Sequence, residues 1–150
     1  MTTLLIVHHT PSPACQDLLD AVVTGARDPA IEGVEVVVRP ALSATASDVL
    51  AADGYLLGTP ANLGYMSGAL KHFFDQVYYP CLDATVGRPY GLYVHGNLDA
   101  DGAVLSVEKV VSGLRWSRAQ APVTVLGTPT SGDLDRVREL GAALAAGLAL

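Results

Sequence analysis

The sequence predicts an α/β fold in which helices cover both faces of a doubly wound parallel sheet of five strands. Apolar runs alternate with amphipathic helical patterns along the whole chain, which is typical of successive βαβ units. The chain has 150 residues, and 50% of them are hydrophobic, which matches the size and core of one domain. No linker, repeat or charge block interrupts it, so we expect residues 1–150 to form a single domain.

The predicted strands are short apolar runs that end in turn residues. Their residue ranges are 3–9, 34–40, 54–60, 89–96 and 122–129. The runs are apolar on both faces rather than alternating, as in parallel strands buried between helices. Short connections then favour right-handed crossovers, which place helices on both faces of the sheet.

A helix is predicted after each strand. The first covers about residues 13–26 and the second, which has a weaker pattern, about residues 45–52. The other three have apolar residues at the spacing of one helix face. These residues are Leu70, Phe73, Phe74 and Val77 in the third helix, Val104, Val107, Val111 and Leu114 in the fourth, and Leu134, Val137, Leu140, Gly141 and Leu144 in the fifth. We expect Pro80 to end the third helix, because proline has no N–H to donate.

Charge and composition exclude several kinds of partner. The chain has 9 basic and 15 acidic residues, a net charge of -6 and a pI near 4.9, which disfavour nucleic acid and anionic membrane surfaces.

The N-terminus lacks the features of a signal peptide, so we expect a soluble, cytoplasmic protein. Cys15 and Cys81 form no CxxC pair and are expected to be reduced. His8 and His9 have no further ligand at a suitable spacing, so no metal site is predicted.

Three loops are the candidates for a binding site. Ligands of doubly wound sheets bind at the carboxyl ends of the strands, near the point where the strand order reverses. The loops after the first, third and fourth predicted strands cover residues 9–15, 58–68 and 95–102. All three are rich in turn residues and in residues that form hydrogen bonds. We therefore expect ligand binding at this edge of the sheet.

The first loop, HTPSPAC, leads into a helix. Ser12 suits the N-cap and Pro13 the first helical position, so capping alone could explain the loop. The free N–H groups and positive dipole end of that helix, with the hydroxyls of Thr10 and Ser12, also suit an anion. The loop has no Lys or Arg and lacks the Gly-Lys-Ser/Thr signature of nucleoside triphosphate sites. It therefore favours a phosphate monoester.

The second loop runs from Gly58 to Gly68, longer than the about 2–6 residues usual for such a connection. This length favours a function over a plain connection. Glycines at 58, 64 and 68 would let the backbone approach a flat ligand. Apolar surface would come from Leu63, Tyr65 and Met66.

The third loop, HGNLDADG, again mixes small and polar residues. Asp99 and Asp101 are predicted to cap the helix that follows. His95 and Asn97 lie nearer the end of the strand. They are therefore the better ligand candidates.

Residues 58–76, GTPANLGYMSGALKHFFDQ, resemble the flavin-binding segment of a known family. They match the pattern Gly-Thr-Pro…Gly-x-Met-x-Gly-x-x-Lys-x-Phe-x-Asp of flavodoxin-like proteins, especially NADPH-dependent FMN reductases and quinone oxidoreductases of the tryptophan-repressor-binding-protein type. The order of elements along nearly the whole chain is also similar. The resemblance implies a flavodoxin-like fold with the strand order 2-1-3-4-5.

The resemblance also implies an FMN site across the three loops. Its residues would be His9, Thr10, Ser12, Ala14, Cys15, Thr59, Pro60, Ala61, Asn62, Leu63, Gly64, Tyr65, Met66, His95, Gly96, Asn97 and Gly102. The first loop would hold the phosphate, the second would border the isoalloxazine ring, and the third would follow its pyrimidine edge. Pro13 and Cys15 depart from the family's phosphate turn, where glycine and a hydroxyl residue are usual, and so remove two donors.

The implied activity is an NAD(P)H-dependent oxidoreductase, with hydride passing through flavin N5 to a quinone or another small acceptor. No catalytic acid or base is predicted, because the cofactor carries the chemistry. Hydride transfer leaves charge toward N1 and O2 of the ring, so we expect donors from the third loop there. The resemblance also allows for a homo-oligomer.

Two alternatives remain open. A flavodoxin-type carrier would pass electrons to a redox partner protein, and carriers of that kind enclose the ring between aromatic residues of the second and third loops. Here Tyr65 is the aromatic residue of the second loop and the third has none, which leaves one ring face open and favours the reductase. An interaction domain without a cofactor is the other alternative, because fold alone does not determine function.

Overall fold

The computed structural model describes residues 1–149, in which seven strands and five helices occur. The strands are β1 (Thr2–His8), β2 (Val34–Pro40), β3 (Gly54–Asn62), β4 (Tyr65–Met66), β5 (Pro89–Gly96), β6 (Ser117–Arg118) and β7 (Val123–Leu126). The helices are α1 (Pro13–Ala26), α2 (Ala46–Ala51), α3 (Gly68–Cys81), α4 (Asp101–Gly113) and α5 (Ser131–Ala149). Every predicted strand and helix is present, with ends that shift by a few residues.

The main sheet is parallel, which confirms the predicted fold class. Its strand order is β2-β1-β3-β5-β6, while β7 also pairs with β5 and β4 pairs antiparallel with β3. The predicted five strands and the numbering 2-1-3-4-5 are therefore wrong. Two short strands, β4 and β6, are added, and strands of two residues carry no apolar periodicity that a sequence pattern can show. The predicted strands keep their predicted neighbours, since β1 pairs with β2 and β3, and β5 with β3 and β7.

Residues 58–68 form a hairpin, so the prediction of a long loop there is wrong. Strand β3 continues to Asn62, and Tyr65–Met66 pair back onto it as β4. Leu63 and Gly64 at the tip have φ angles of 51° and 75°. Positive φ at both central residues is the geometry of a tight two-residue hairpin turn.

Helix α3 passes through Pro80 and ends at Cys81, so the prediction that Pro80 ends it is wrong by one residue. A proline in the last turn removes one N–H donor and leaves the carbonyl four residues earlier without its helical partner. That carbonyl belongs to Gln76, which is exposed to solvent. Water can therefore satisfy it, and the helix tolerates the proline.

Two apolar cores lie on opposite faces of the sheet. One contains Leu5 and Val7 of β1, covered by side chains of α2, α3 and α4. The other contains Leu4 and Ile6 of β1, covered by α1 and α5. Because successive residues of a strand point to opposite faces, both cores need apolar residues, and the strand is a continuous apolar run.

Arginine side chains shield both edges of the sheet. Arg27 and Arg39 donate hydrogen bonds to the carbonyls of Val36 and Val38 on β2, and Arg136 donates to the carbonyl of Thr124 on β7. These carbonyls would otherwise be free to pair with a strand from another molecule. Within residues 1–149, none of the helices is both long and apolar enough to cross a bilayer.

Candidate functional site

A cleft opens where β1, β3 and β5 end side by side. Its volume is about 330 Å³, and its walls come from the turn before α1, the end of β3 and the end of β5. The lining residues are Pro11, Ser12, Pro13, Ala14, Pro60, Ala61, Asn62, His95, Gly96 and Asn97. All three predicted loops therefore contribute to one cavity.

A second cavity of about 230 Å³ adjoins the cleft and shares Pro13, Ala14, His95 and Asn97 with it. Its far wall is the loop after β7, Gly127–Pro129, with the carboxylate residue Asp17 of α1 at one side. This fourth loop is absent from the predicted site. A signal for it exists, because the tetrapeptide LGTP occurs both at residues 57–60 and at residues 126–129.

Two larger grooves, of about 480 and 520 Å³, lie along α4 and share Leu105, Glu108 and Arg118. They contain no predicted site residue. The charged groups at their shared wall face each other, since Arg118 Nη1 and Glu108 Oε2 are 3.6 Å apart. We therefore place the candidate site at the strand ends and not on α4, despite the larger volume there.

The turn before α1 presents donors that no protein acceptor uses. Ser12 Oγ accepts from the N–H of Cys15 at 3.2 Å, which confirms it as the N-cap, with Pro13 next in the helix. The hydroxyl proton of Ser12 remains free to donate. Within residues 1–149, the N–H groups of Thr10, Ser12 and Ala14 also have no acceptor. These donors suit an anion at the start of the helix.

Two histidines stand behind this turn. His8 Nδ1 lies 2.7 Å from Thr10 Oγ1, and burial lowers the pKa of His8, with a smaller contribution from neighbouring His9. The backbone N–H of His9 donates to the carbonyl of Gly58 at 3.0 Å, which ties the turn to β3. His9 Nδ1 is buried and has no partner among the described residues.

Cys15 does not line the cleft. Its side chain is 3% exposed and points into the molecule, and burial raises the pKa of the thiol. Cys15 and Cys81 are both free thiols, as predicted. At position 15 the chain therefore offers a small buried apolar group rather than a donor.

Much of the segment 59–66 supports the cleft without lining it. Thr59 Oγ1 is buried and accepts from the N–H of Ser67 at 3.0 Å, which anchors the hairpin to the start of α3. Met66 lies in the core, whereas Leu63 and Tyr65 are exposed near the hairpin tip. Of the predicted second loop, Pro60, Ala61 and Asn62 line the cavity.

The end of β5 is fixed by its neighbours. His95 Nε2 donates to the carbonyl of Gly127 at 2.8 Å, so the other ring nitrogen of His95 is the one left for a ligand. Asn97 is exposed and its amide has no partner among the described residues. Gly102 lies against the hairpin, since a Cβ there would be 2.1 Å from the carbonyl oxygen of Gly64.

The predicted site residues thus divide into two groups. The cleft is lined by Ser12, Ala14, Pro60, Ala61, Asn62, His95, Gly96 and Asn97. The others, which are His9, Thr10, Cys15, Thr59, Leu63, Gly64, Tyr65, Met66 and Gly102, lie behind or beside it. In the described chain, no Lys or Arg lines either cavity, so the donors for a ligand are neutral.

Comparison with known proteins identifies the family. The family model described as NADPH-dependent FMN reductase matches residues 9–130. The chain belongs to this family. The match includes the turn before α1, the hairpin, the end of β5 and the loop after β7, which are the four walls of the two cavities.

Individual proteins resemble this FMN reductase family member in sequence over part of their length, or in fold. A flavodoxin from Aquifex aeolicus (strain VF5) is 38% identical over 77 residues, a match that spans 51% of this chain and 40% of that flavodoxin. The fold is similar to that of a flavodoxin from the domain Archaea, with a TM-score of 0.84, 15% identity and 98% and 99% of the two chains covered. For the flavodoxin, WrbA-like protein from Agrobacterium tumefaciens, the TM-score is 0.78 at 18% identity, with 97% and 96% covered. The expected flavodoxin-like fold is confirmed.

The residues present fit the cofactor that this family name implies. The family description names FMN, which has one flat ring system and one phosphate monoester. The unused N–H groups and the Ser12 hydroxyl at the start of α1 suit a phosphate, because the helix dipole also favours an anion there. Asn62, His95 and Asn97 add polar groups for the edge of a ring.

Proposed function

We propose that the chain binds FMN noncovalently in the cleft and acts as an NAD(P)H-dependent oxidoreductase that reduces a quinone or another small acceptor. The observation that carries the proposal is the set of unused neutral donors around the first turn of α1, at the strand ends of a fold shared with flavodoxins. FMN supplies the hydride and electron chemistry at its ring. The protein contributes binding, orientation and electrostatics.

Each wall of the site has a part in this proposal. Thr10, Ser12 and Ala14 would hold the phosphate through N–H groups and the serine hydroxyl. The hairpin would position one edge of the ring through Pro60, Ala61 and Asn62. His95 and Asn97 would stand at the other edge, where donors stabilise the charge that reduction leaves on the ring. No residue of the chain needs to act as a dedicated acid or base.

An open ring face favours the reductase. Tyr65 on the hairpin is 43% exposed, and residues 95–102 contain no aromatic side chain that could cover the ring from the opposite side. Transfer of hydride from a nicotinamide requires direct stacking on the flavin. Electron transfer between proteins has no such requirement. The second candidate, a flavodoxin-type carrier, is supported by the curated relative, which is itself a flavodoxin.

Flavin titration tests the proposal. Purified protein should quench the fluorescence of added FMN with a dissociation constant in about the micromolar range or below. Absence of binding at such concentrations would overturn both flavin hypotheses and leave the interaction domain. Consumption of NADH or NADPH in the presence of a quinone then separates the two flavoproteins. Reduction only by a separate reductase protein would identify a carrier.

A further inference from the structure

We propose that His8 takes up a proton when the cofactor phosphate binds and, through the hydroxyl of Thr10, supplies the positive charge that the phosphate turn itself lacks. The inference rests on the proposed function, because it concerns the same phosphate. It assigns to His8 a positioning role, since the histidine acts through Thr10 and does not touch the ligand.

The geometry links the two residues directly. His8 is the last residue of β1, and its Nδ1 lies 2.7 Å from Oγ1 of Thr10 in the turn. When His8 is neutral with its proton on Nε2, Nδ1 accepts the hydroxyl proton of Thr10, which is then lost to the ligand. When His8 is protonated, both ring nitrogens are donors, so Nδ1–H donates to Oγ1. The hydroxyl proton of Thr10 then becomes free to donate to a phosphate oxygen.

Other titratable and charged groups surround the same face of the sheet as His8. His8 lies on the face of β1 that α1 and α5 cover, beside Leu4 and Ile6. The strand residues that pair with His8 are Pro40 and Gly58, neither of which titrates. The groups that titrate or carry charge around this face are His9, which follows β1, then Cys15, Asp17 and Asp20 on α1, Tyr93 and His95 on β5, and Arg138 on α5, which pairs with Asp135.

The protonation state of His8 should differ between the free protein and the FMN complex. Burial lowers the pKa of His8 in the free protein, and His9 lowers it further, so the neutral form dominates at neutral pH. A phosphate dianion on the far side of Thr10 favours the imidazolium and raises the pKa in the complex. Affinity for FMN therefore increases as the pH falls from the pKa of the complex toward the lower pKa of the free protein, by at most about tenfold per pH unit.

The experiment compares FMN with riboflavin, which has the same ring and no phosphate. Both dissociation constants are measured by fluorescence titration between about pH 5 and pH 8, where histidine titrates. The FMN phosphate itself has a pKa near about 6, so each variant is compared with the wild type at the same pH, which cancels the titration of the ligand. Isothermal titration calorimetry in buffers of different ionisation enthalpy counts the protons taken up on binding.

Four variants make the test specific. His8→Asn keeps a nitrogen donor near the position of Nδ1 but cannot titrate, and Thr10→Val removes the hydroxyl at constant shape. Thr10→Ser keeps the hydroxyl, and His72→Asn removes an exposed histidine of α3 that does not line the cleft. We expect wild type, Thr10→Ser and His72→Asn to gain about threefold to tenfold in FMN affinity relative to riboflavin as the pH falls through the window, with proton uptake. His8→Asn and Thr10→Val should show neither.

The outcomes separate this inference from the proposed function. Binding of FMN by His8→Asn with the pH dependence and proton uptake of the wild type would overturn the role of His8 alone. If His8→Asn does not fold, the contrast between Thr10→Val and Thr10→Ser decides the same question. If wild-type protein binds neither FMN nor riboflavin, the proposed function is overturned and the inference with it.

Discussion

The ring of Tyr93 occupies the space beside Gly58 on the neighbouring strand. A Cβ added at Gly58 would lie 2.1 Å from Cζ of Tyr93, far inside van der Waals contact. Residues 58 and 93 pair across β3 and β5, and the tyrosine is 3% exposed in the core beneath α1 and α5. The glycine is therefore required for packing inside the sheet, which by itself accounts for a glycine at this position.

Replacing Gly58 with alanine should destabilise the protein. The added methyl group meets a buried ring that cannot move away, and overpacking of this kind costs about 1–3 kcal/mol. Gly68→Ala is the matched control, because a Cβ there has no neighbour within 4 Å and the residue begins helix α3. Alanine at 68 should leave stability unchanged or raise it by up to about 1 kcal/mol. Chemical denaturation measures both, and equal stability of Gly58→Ala and wild type would contradict the packing of Tyr93.

Tyr93→Phe should leave stability unchanged to within about 1 kcal/mol, because the Tyr93 hydroxyl is buried with no partner among the described residues. Tyr55 is the contrast, since its hydroxyl donates to the Val49 carbonyl at 2.6 Å and its ring stacks on Trp116. Tyr55→Phe removes one donor from that carbonyl and one acceptor from Arg88, although both keep other partners, and should cost about 1 kcal/mol. A larger loss for Tyr93→Phe than for Tyr55→Phe would show that the Tyr93 hydroxyl has a partner.

The buried phenol of Tyr93 predicts how the free energy of unfolding depends on pH in the alkaline range. Burial raises the pKa of Tyr93 in the folded protein, whereas in the unfolded chain the phenol ionises near about pH 10. The unfolded state therefore loses its proton first, and the free energy of unfolding falls as the pH rises above that value. Below it, the contribution is constant. Tyr93→Phe should lose stability less steeply than wild type in this range.

Leu63→Asn should stabilise the hairpin. Leu63 is exposed and has a φ of 51°, a left-handed conformation that asparagine adopts more readily than leucine. The change creates an Asn-Gly pair at the tip of a two-residue turn, which is the preferred sequence for this geometry. We expect a gain of about 0.5–1 kcal/mol in thermal or chemical unfolding. Leu98→Asn, at another exposed leucine whose φ is not positive, should show no gain.

Ser12→Ala should affect folding and binding together. Loss of the N-cap costs about 0.5–2 kcal/mol of stability, and loss of the hydroxyl donor should weaken FMN binding by about 1–2 kcal/mol without changing riboflavin binding. Ser12→Asp is the control that separates the two effects, because aspartate caps a helix well but repels a phosphate. It should keep the stability of the wild type and lose more FMN affinity than alanine. An unchanged FMN affinity in Ser12→Ala would identify Ser12 as a cap only.

The sequence predicts the central elements of this fold because β1, β3 and β5 are buried on both faces. Leu4 to Val7, for example, pack alternately into two cores, so the strand is a short continuous apolar run between turn residues. Strands β4 and β6 escape prediction because two residues show no periodicity; β4 is defined by its hairpin pairing with β3, and β6 by partners on β5 that are distant in the chain. Pro80 lies inside α3 for a different reason, because the carbonyl of Gln76 that loses its helical partner is exposed to solvent.

The site is predicted in its location but only partly in its residues. Parallel strand order brings the ends of β1, β3 and β5 together whatever the side chains are, so the three loops meet as expected. Which side chains line the cavity depends on the hairpin. The pairing of Asn62 with Tyr65 moves Gly64 to the hairpin tip, where its carbonyl contacts Gly102. Neither the pairing of Asn62 with Tyr65 nor the contact of Gly64 with Gly102 can be predicted from hydrophobic periodicity.

A cradle of amide groups and hydroxyls has a consequence for conditions inside a cell. Mobile ions screen attraction between full charges over about 8 Å at physiological ionic strength, whereas direct contacts between a dipole and an oxygen at hydrogen-bond distance are barely affected. The chain carries a net charge of -6, so dissolved salt also screens the repulsion that this excess exerts on an anionic guest. The affinity for FMN should therefore stay constant or increase as the salt concentration rises. A pocket lined by lysine and arginine would show the opposite behaviour.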